Sequence, residues 1–213
     1  MAELIDNWTK KLSDKSSLPT AEGVVIDLGT GDGRFVYQSA RRNPNKFYIG
    51  IDAETRALEK VSEKIHRKPQ KGGLANVLFV QAAVEDLPSE LDGVADEIHI
   101  HFPWGSLLRA VASGEPATLA SLRRICAIDA WLEVIIGIDT ERDRAEIERL
   151  GLEELSAEFI ETVLVGRYAR AAFDVVEYGV LEPGEWPRLE TTWAHRLSGS
   201  ESRRLAYVIA RAV

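Results

Sequence analysis

Val24-Val25-Ile26-Asp27-Leu28-Gly29-Thr30-Gly31-Asp32-Gly33 is the stretch that decides how the rest of the chain is read. Apolar and β-branched residues lead into an acid, and three glycines follow at alternate positions. The pattern is that of a buried strand ending in a tight turn that feeds a helix, here over 33–43. Glycines in such a turn let the backbone approach a ligand where a side chain would block it. A second strand, Phe47-Tyr48-Ile49-Gly50-Ile51, ends in Asp52. A carboxylate at that strand end is where a nucleotide-binding sheet grips ribose hydroxyls.

The turn reads G-x-G-x-G, not the G-x-G-x-x-G of a pyrophosphate-binding dinucleotide site. Asp27 and Asp32 would repel a pyrophosphate but suit a ligand that carries an ammonium. S-adenosylmethionine, with its amino group and sulfonium, has that sign. The cofactor candidates are Asp27, Gly29, Thr30, Gly31 and Asp32 in and before the turn, and Asp52 and Ala53 after the second strand. Ala83, Val84 and Glu85 after the third strand and Phe102 at the fourth complete the set.

At 213 residues, with 45% hydrophobic and 28% charged residues, the chain has the size and composition of one globular domain. No apolar run approaches the roughly 18 residues of a membrane span, so no membrane partner is expected. The first residues lack a signal-peptide pattern. Cys126 is the single cysteine and no Cys/His cluster has zinc spacing, so neither a disulfide nor a metal is expected. A cytoplasmic protein follows, with nothing that demands more than a monomer. The net charge of −8 disfavours nucleic acid as a partner unless basic residues are concentrated locally.

From Val24 the pattern alternates: strand 24–28, helix 33–43, strand 46–52, helix 55–68, and strands at 77–82, 97–102 and 131–138. This is an α/β fold, a mostly parallel seven-stranded Rossmann-like sheet of the class I S-adenosylmethionine-dependent methyltransferase type. Strands at 173–181 and 204–210 close it, the last antiparallel. Residues 1–22 read as an N-terminal arm and 23–213 as a single domain. The acidic stretch 139–161, at −6, reads as a solvated helical face. The long connection 182–203, with Pro183, Gly184, Pro187 and Gly199, reads as a loop that covers the target.

The fourth strand ends in Phe102-Pro103-Trp104-Gly105-Ser106, the position that faces a methyl acceptor. Enzymes that methylate an exocyclic amine place an Asn/Asp-Pro-Pro-aromatic motif there. With Phe102 in the polar position, no side chain accepts an amine proton, and a ring nitrogen with its own lone pair fits better. Trp104 at this edge and Trp193 in the long loop can clamp a flipped purine, each stack being worth about 1–3 kcal/mol. Arg56, Lys60, Lys64, Arg67, Lys68 and Lys71 recur at helical spacing, making 56–71 a +4 segment. The tail 188–213 is +3. Two positive patches flanking the acceptor pocket meet the objection raised by the net charge.

Asp27-Leu28-Gly29-Thr30-Gly31-Asp32-Gly33, Lys68-Pro69-Gln70-Lys71-Gly72-Gly73-Leu74, Phe102-Pro103-Trp104-Gly105-Ser106-Leu107-Leu108 and Thr192-Trp193-Ala194-His195-Arg196-Leu197 occur in this order. In these segments the chain resembles the aminoglycoside-resistance 16S rRNA methyltransferases that modify N1 of adenine 1408 in the decoding site (the KamB and NpmA group). The resemblance implies an enzyme acting on the 16S rRNA of the 30S ribosomal subunit. It implies that Trp104 and Trp193 stack the flipped adenine, and that the hydroxyls of Ser106 and Thr191 line its pocket. It also implies rRNA docking through Lys64, Arg67, Lys68 and Lys71, to which the helical spacing adds Lys60, with Arg196 and Arg203 near the target phosphate. Residues 1–22 depart from the basic hairpin of the family, and Glu63 and Glu201 stand where members can carry basic residues.

Three rivals differ in what they require. A tRNA (guanine-N7) methyltransferase calls for a basic continuation after Pro-Trp, whereas Gly105-Ser106-Leu107-Leu108 follows here. A small-molecule methyltransferase has no use for the basic helix. A non-catalytic S-adenosylmethionine-binding protein that docks on the ribosome has no use for the two tryptophans.

Overall fold

A computed structural model describes residues 22–183, 185 and 202–213. Of the expected arm only Glu22 falls within it, and most of the expected covering loop 182–203 lies outside. The described strands form one seven-stranded sheet, β1 (Val24–Leu28), β2 (Phe47–Asp52), β3 (Val77–Gln81), β4 (Ala95–His101), β5 (Cys126–Ile138), β6 (Phe173–Leu181) and β7 (Arg204–Ala212). Their order across the sheet is β3-β2-β1-β4-β5-β7-β6. β1 to β5 pair in parallel, and β7 lies antiparallel between β5 and β6. The chain winds outward in opposite directions from β1 and β4, so the crevice at their carboxyl ends is the place for a ligand.

Every residue of β1 is buried, as a strand covered on both faces must be. Val24, Ile26 and Leu28 enter the larger core with Ile49, Ile98 and Ile100, while Val25 enters a smaller one with Val36, Tyr37 and Tyr48. Each fully buried isoleucine contributes roughly 1.5–3 kcal/mol. Alternation along β1 turns Asp27 to the same face as Val25. α1 (Arg34–Arg42) covers that face through Val36, Tyr37 and Ala40, and Arg41 and Arg42 in its last turn complement the helix dipole.

The helix expected over 55–68 is shorter. α2 spans Glu59–Ile65, because Pro69 excludes a helical conformation at Lys68, which is extended at φ −57° and ψ 146°. Between β4 and β5 the sequence reading placed no helix, yet α3 (Gly105–Ser113) and α4 (Pro116–Ile125) fill that connection. Gly114, left-handed at φ 61°, ends α3, and Pro116 opens α4. β5 begins at Cys126, five residues earlier than expected, and its register against β4 shifts between Ala95 and Glu97. The acidic stretch forms α5 (Arg144–Leu150), α6 (Ala157–Phe159) and a π-helical turn over Ile160–Leu164 that leads into α7 (Val165–Arg170).

Candidate active site

A cleft of about 400 Å³ opens at the carboxyl ends of β1 to β4. Gly29 sits at its floor with φ 78°, and a Cβ there would lie 2.9 Å from Leu107 Cδ2. The turn is held by its own backbone: the Gly29 and Thr30 amides donate to the Ile51 carbonyl at 2.8 and 3.0 Å. Asp52 closes the other wall. Its Oδ2 accepts from the Gly31 amide at 2.7 Å and its Oδ1 from the Glu54 amide at 2.9 Å. Each carboxylate oxygen keeps a second acceptor site for a hydroxyl.

Of the expected cofactor residues, Gly29, Gly31, Asp52, Ala53, Ala83, Val84, Glu85 and Phe102 line this cleft. Asp27, Thr30 and Asp32 do not. Asp27 and Thr30 are buried, and Asp27 points to the α1 face beneath the turn. Burial raises the Asp27 pKa, with His101 pulling against it. Asp32 is exposed, and its Oδ1 accepts from the Arg34 amide at the start of α1. The turn therefore presents backbone and not carboxylates to the cleft; Asp52 supplies that charge. Glu54 and Leu107 line the cleft without having been foreseen. Glu54 follows the Asp52 strand end closely enough to have been named, whereas Leu107 had no polar signal.

The acceptor edge is built by one unusual residue. Phe102 has φ 51°, a conformation that costs a bulky side chain about 1–3 kcal/mol. Packing holds it there. Its amide donates to the Ile135 carbonyl at 2.7 Å, and its ring clusters with Ile135 and Leu205. The ring also lies where a side chain on Gly137 would collide with it, at 2.9 Å. The chain reverses at Phe102, Pro103 is buried, and Trp104 caps α3 at the cleft rim with 56% of its surface exposed. Ser106, in the first turn of α3, is exposed and lines the same cleft. A large aromatic surface left in water beside a nucleotide-type cleft is suited to receiving a planar base.

The matches to known proteins agree with this arrangement. The family model for the NpmA 16S rRNA (adenine(1408)-N(1))-methyltransferase matches residues 3–212. The chain belongs to that family. A 16S rRNA (adenine(1408)-N(1))-methyltransferase of Escherichia coli is 39% identical over 181 residues, 84% of this chain and 83% of that protein. The crystal structure of the aminoglycoside resistance methyltransferase NpmB1 superposes with a TM-score of 0.81 at 46% identity, covering 93% of this chain and 91% of the other. A tryptophan-to-alanine mutant of the Catenulisporales acidiphilia enzyme, solved with cosubstrate SAM, gives a TM-score of 0.84 at 32% identity over 98% and 91% of the two chains.

Trp193, Thr191 and Arg196 of this methyltransferase lie outside the described residues. The segment that carries them rejoins the fold at a fixed point. The Ser202 hydroxyl donates to Asp139 Oδ2 at 2.5 Å, and Arg203 pairs with Asp143 at 2.5 Å and donates to the Gly137 carbonyl at 2.7 Å. Arg203, for which the resemblance implied a contact near the target phosphate, is thus a buried cation paired with Asp143. The ion pair spans sixty positions, so sequence spacing could not show it.

The basic residues are also arranged differently. Lys60 and Lys64 lie on α2, with Lys64 Nζ 4.2 Å from the Tyr37 ring centre. Arg67, Lys68 and Lys71 are exposed in the turn beyond it. α2 runs back from the end of β2, and β3 starts opposite Tyr48 at the amino end of the sheet. Lys68 and Lys71 therefore sit at the edge opposite the cleft and do not flank it. That turn is compact: a Cβ on Gly73 would fall 1.6 Å from the Arg67 carbonyl oxygen.

Behind the cleft, on the α1 face, β4 and β5 bring together Glu97, His99, His101 and Glu133. His99 Nδ1 and His101 Nε2 lie 2.9 and 2.6 Å from the same oxygen, Glu133 Oε1. Burial disfavours charge on His99, but hydrogen bonds to Glu133 and Glu97 outweigh it and hold its pKa at about 9. The His99 hydrogen bond, aided by Lys46 against the cost of burial, draws Glu97 down to about 2. Burial opposes charge on Glu133 too, yet its two histidine partners keep it below the usual carboxylate range.

Proposed function

We propose that this chain methylates N1 of adenine 1408 in the 16S rRNA of the 30S subunit, using S-adenosylmethionine, and so confers aminoglycoside resistance. The observation that carries the reading is the exposed Trp104 at the rim of a cleft built from a glycine turn and Asp52, in a chain of this family. The cleft fits the cofactor on its donor set: Asp52 has acceptor sites to spare for ribose hydroxyls, and Gly29 leaves the floor open. Ala53 and the Ala83-Val84-Glu85 turn, facing it, are placed to hold an adenine ring.

When bound, S-adenosylmethionine supplies an electrophilic sulfonium methyl group. The residues of the chain orient the acceptor. Trp104 stacks on the flipped base from the α3 side, Trp193 from the covering loop, and the Ser106 and Thr191 hydroxyls line the pocket. Because N1 carries its own lone pair, no side chain would have to remove a proton, and the task left to these residues is to hold the base toward the methyl group that the cofactor would supply. The product base is cationic, and indole faces favour that developing charge. The packing of Phe102 against Ile135 and Leu205 fixes the Trp104 rim before the base arrives.

Docking rests on α2 and the turn beyond it, where Lys60, Lys64, Arg67, Lys68 and Lys71 meet rRNA phosphates at a distance from the chemistry, with Arg196 near the target. Residues 23–213 act as one domain, as a monomer, in the cytoplasm. Among the described residues no helix is long and apolar enough to cross a membrane. Methyl incorporation from labelled cofactor tests the substrate class. Label should enter 30S subunits and not tRNA. Label in tRNA alone would move the assignment to the guanine-N7 class, and cofactor binding with no label in either RNA would mark a docking protein.

A further inference from the structure

We infer that His99, His101 and Glu133 form a divalent transition-metal site, suited to zinc, that clips β4 to β5 behind the target edge. His99 and His101 are two apart on one strand, so both rings leave the same face of the sheet. The β4–β5 register places Glu133 opposite His99. The three potential ligand atoms, His99 Nδ1, His101 Nε2 and Glu133 Oε1, all lie within 4.8 Å of one another. A tetrahedral zinc with bonds of about 2.0–2.2 Å sets neighbouring ligand atoms about 3.3 Å apart. The two nitrogens are 2.9 and 2.6 Å from Glu133 Oε1, so a shift of less than an ångström by the half-exposed Glu133 opens the site. Two imidazoles and a carboxylate select zinc and its borderline neighbours over calcium or magnesium.

The surroundings add an outer partner of the kind a ligating histidine takes. His99 keeps its other nitrogen, Nε2, 3.5 Å from Glu97 Oε2, an outer carboxylate of the kind that orients a ligating histidine. His101 Nδ1, the nitrogen turned away from Glu133, is buried without a hydrogen-bond partner among the described residues, and the Asp27 carboxylate lies near enough to feel the His101 charge. The Phe35 ring packs 5.2 Å from His99 and 4.9 Å from His101, centroid to centroid, and covers both imidazoles. None of the three ligands lines the cleft, so the metal is a positioning clip and takes no part in methyl transfer. His101 directly precedes Phe102, and holding it fixes the turn that presents Trp104. The sequence alone gave no zinc cluster because the third ligand arrives only through the strand register.

The test is calorimetric titration of zinc chloride into untagged, EDTA-stripped full-length protein, with metal content of the dialysed product measured by mass spectrometry. One equivalent should bind, and the melting temperature should rise by about 5–10 °C at a hundred-fold excess over Kd. His101→Gln and Glu133→Gln should each lose that equivalent, whereas His66→Gln at an exposed position should keep it. S-adenosylhomocysteine binding within a few-fold of the wild type shows that each variant is folded. A wild-type protein that takes up no stoichiometric zinc overturns the proposal. So does uptake that survives, in folded protein, both His101→Gln and Glu133→Gln.

Discussion

The ends of β1 and β4 stand side by side at the switch point and are built on opposite principles. The β1 end works through backbone: the Gly29 and Thr30 amides donate to the Ile51 carbonyl and the Gly31 amide to Asp52 Oδ2, and the side chain of Thr30 does not line the cleft. The β4 end works through side chains: Phe102 is held at a strained φ by its ring so that Trp104 can stand in solvent. A backbone-made cofactor floor suits any substrate. A side-chain-made rim is where a choice of base can be written. Damage to the first should therefore remove cofactor and activity together, and damage to the second should separate them.

Asp52→Ala is the broadest expected effect, since it strikes cofactor binding and activity together. It removes the acceptor of the Gly31 amide as well as the hydroxyl grip, and charged hydrogen bonds of this kind carry about 1.5–3 kcal/mol each. Cofactor affinity should fall by roughly 10–100-fold, read by calorimetry, with methylation falling alongside. Trp104→Ala should reduce methylation by about 5–150-fold, the kinetic equivalent of one lost base stack, while cofactor affinity changes less than about two-fold. A Trp104 variant that loses cofactor binding equally would erase the distinction between the two ends.

Gly29→Ala tests the backbone principle from the other side. The left-handed φ and the Leu107 contact at 2.9 Å should cost about 1–3 kcal/mol, seen as a melting temperature lower by several degrees. Lys68→Glu should be milder still. Binding to 30S subunits should weaken a few-fold, with a shallower salt dependence, while turnover on saturating subunits is unchanged because Lys68 lies away from the cleft. The smallest effect concerns Cys126, whose thiol is pushed up to about 12 by burial. A thiol held protonated in the fold adds stability below its unfolded pKa near 9, and that contribution fades as pH climbs from about 9 toward 12. Native protein should resist alkylation at pH 8.5, and denatured protein should react at once.

The legible parts of the sequence were those fixed by local rules. The glycine turn, Asp52 and the alternating strands follow from periodicity and from residues that only turns tolerate. Two local signals were present but unread: Gly114 and Pro116 punctuate α3 and α4, and Pro69 shortens α2. The rest depended on register or on tertiary packing. Asp27 lies beneath the turn and does not line the cleft, because alternation along β1 turns it to the face opposite Val24, Ile26 and Leu28. Nothing near Phe102 announces its φ, which comes from Ile135 and Leu205. Arg203 finds Asp143 across sixty positions. His99 and His101 are visible as a pair, but Glu133 joins them only when β5 lies beside β4.

The central claim is most directly tested by primer extension across the decoding site of 30S subunits incubated with the protein and S-adenosylmethionine. N1-methyladenine blocks the Watson–Crick edge, so reverse transcriptase should stop next to adenine 1408, and only when cofactor is present. Full read-through at that position, from protein that binds cofactor and subunits, would contradict the account.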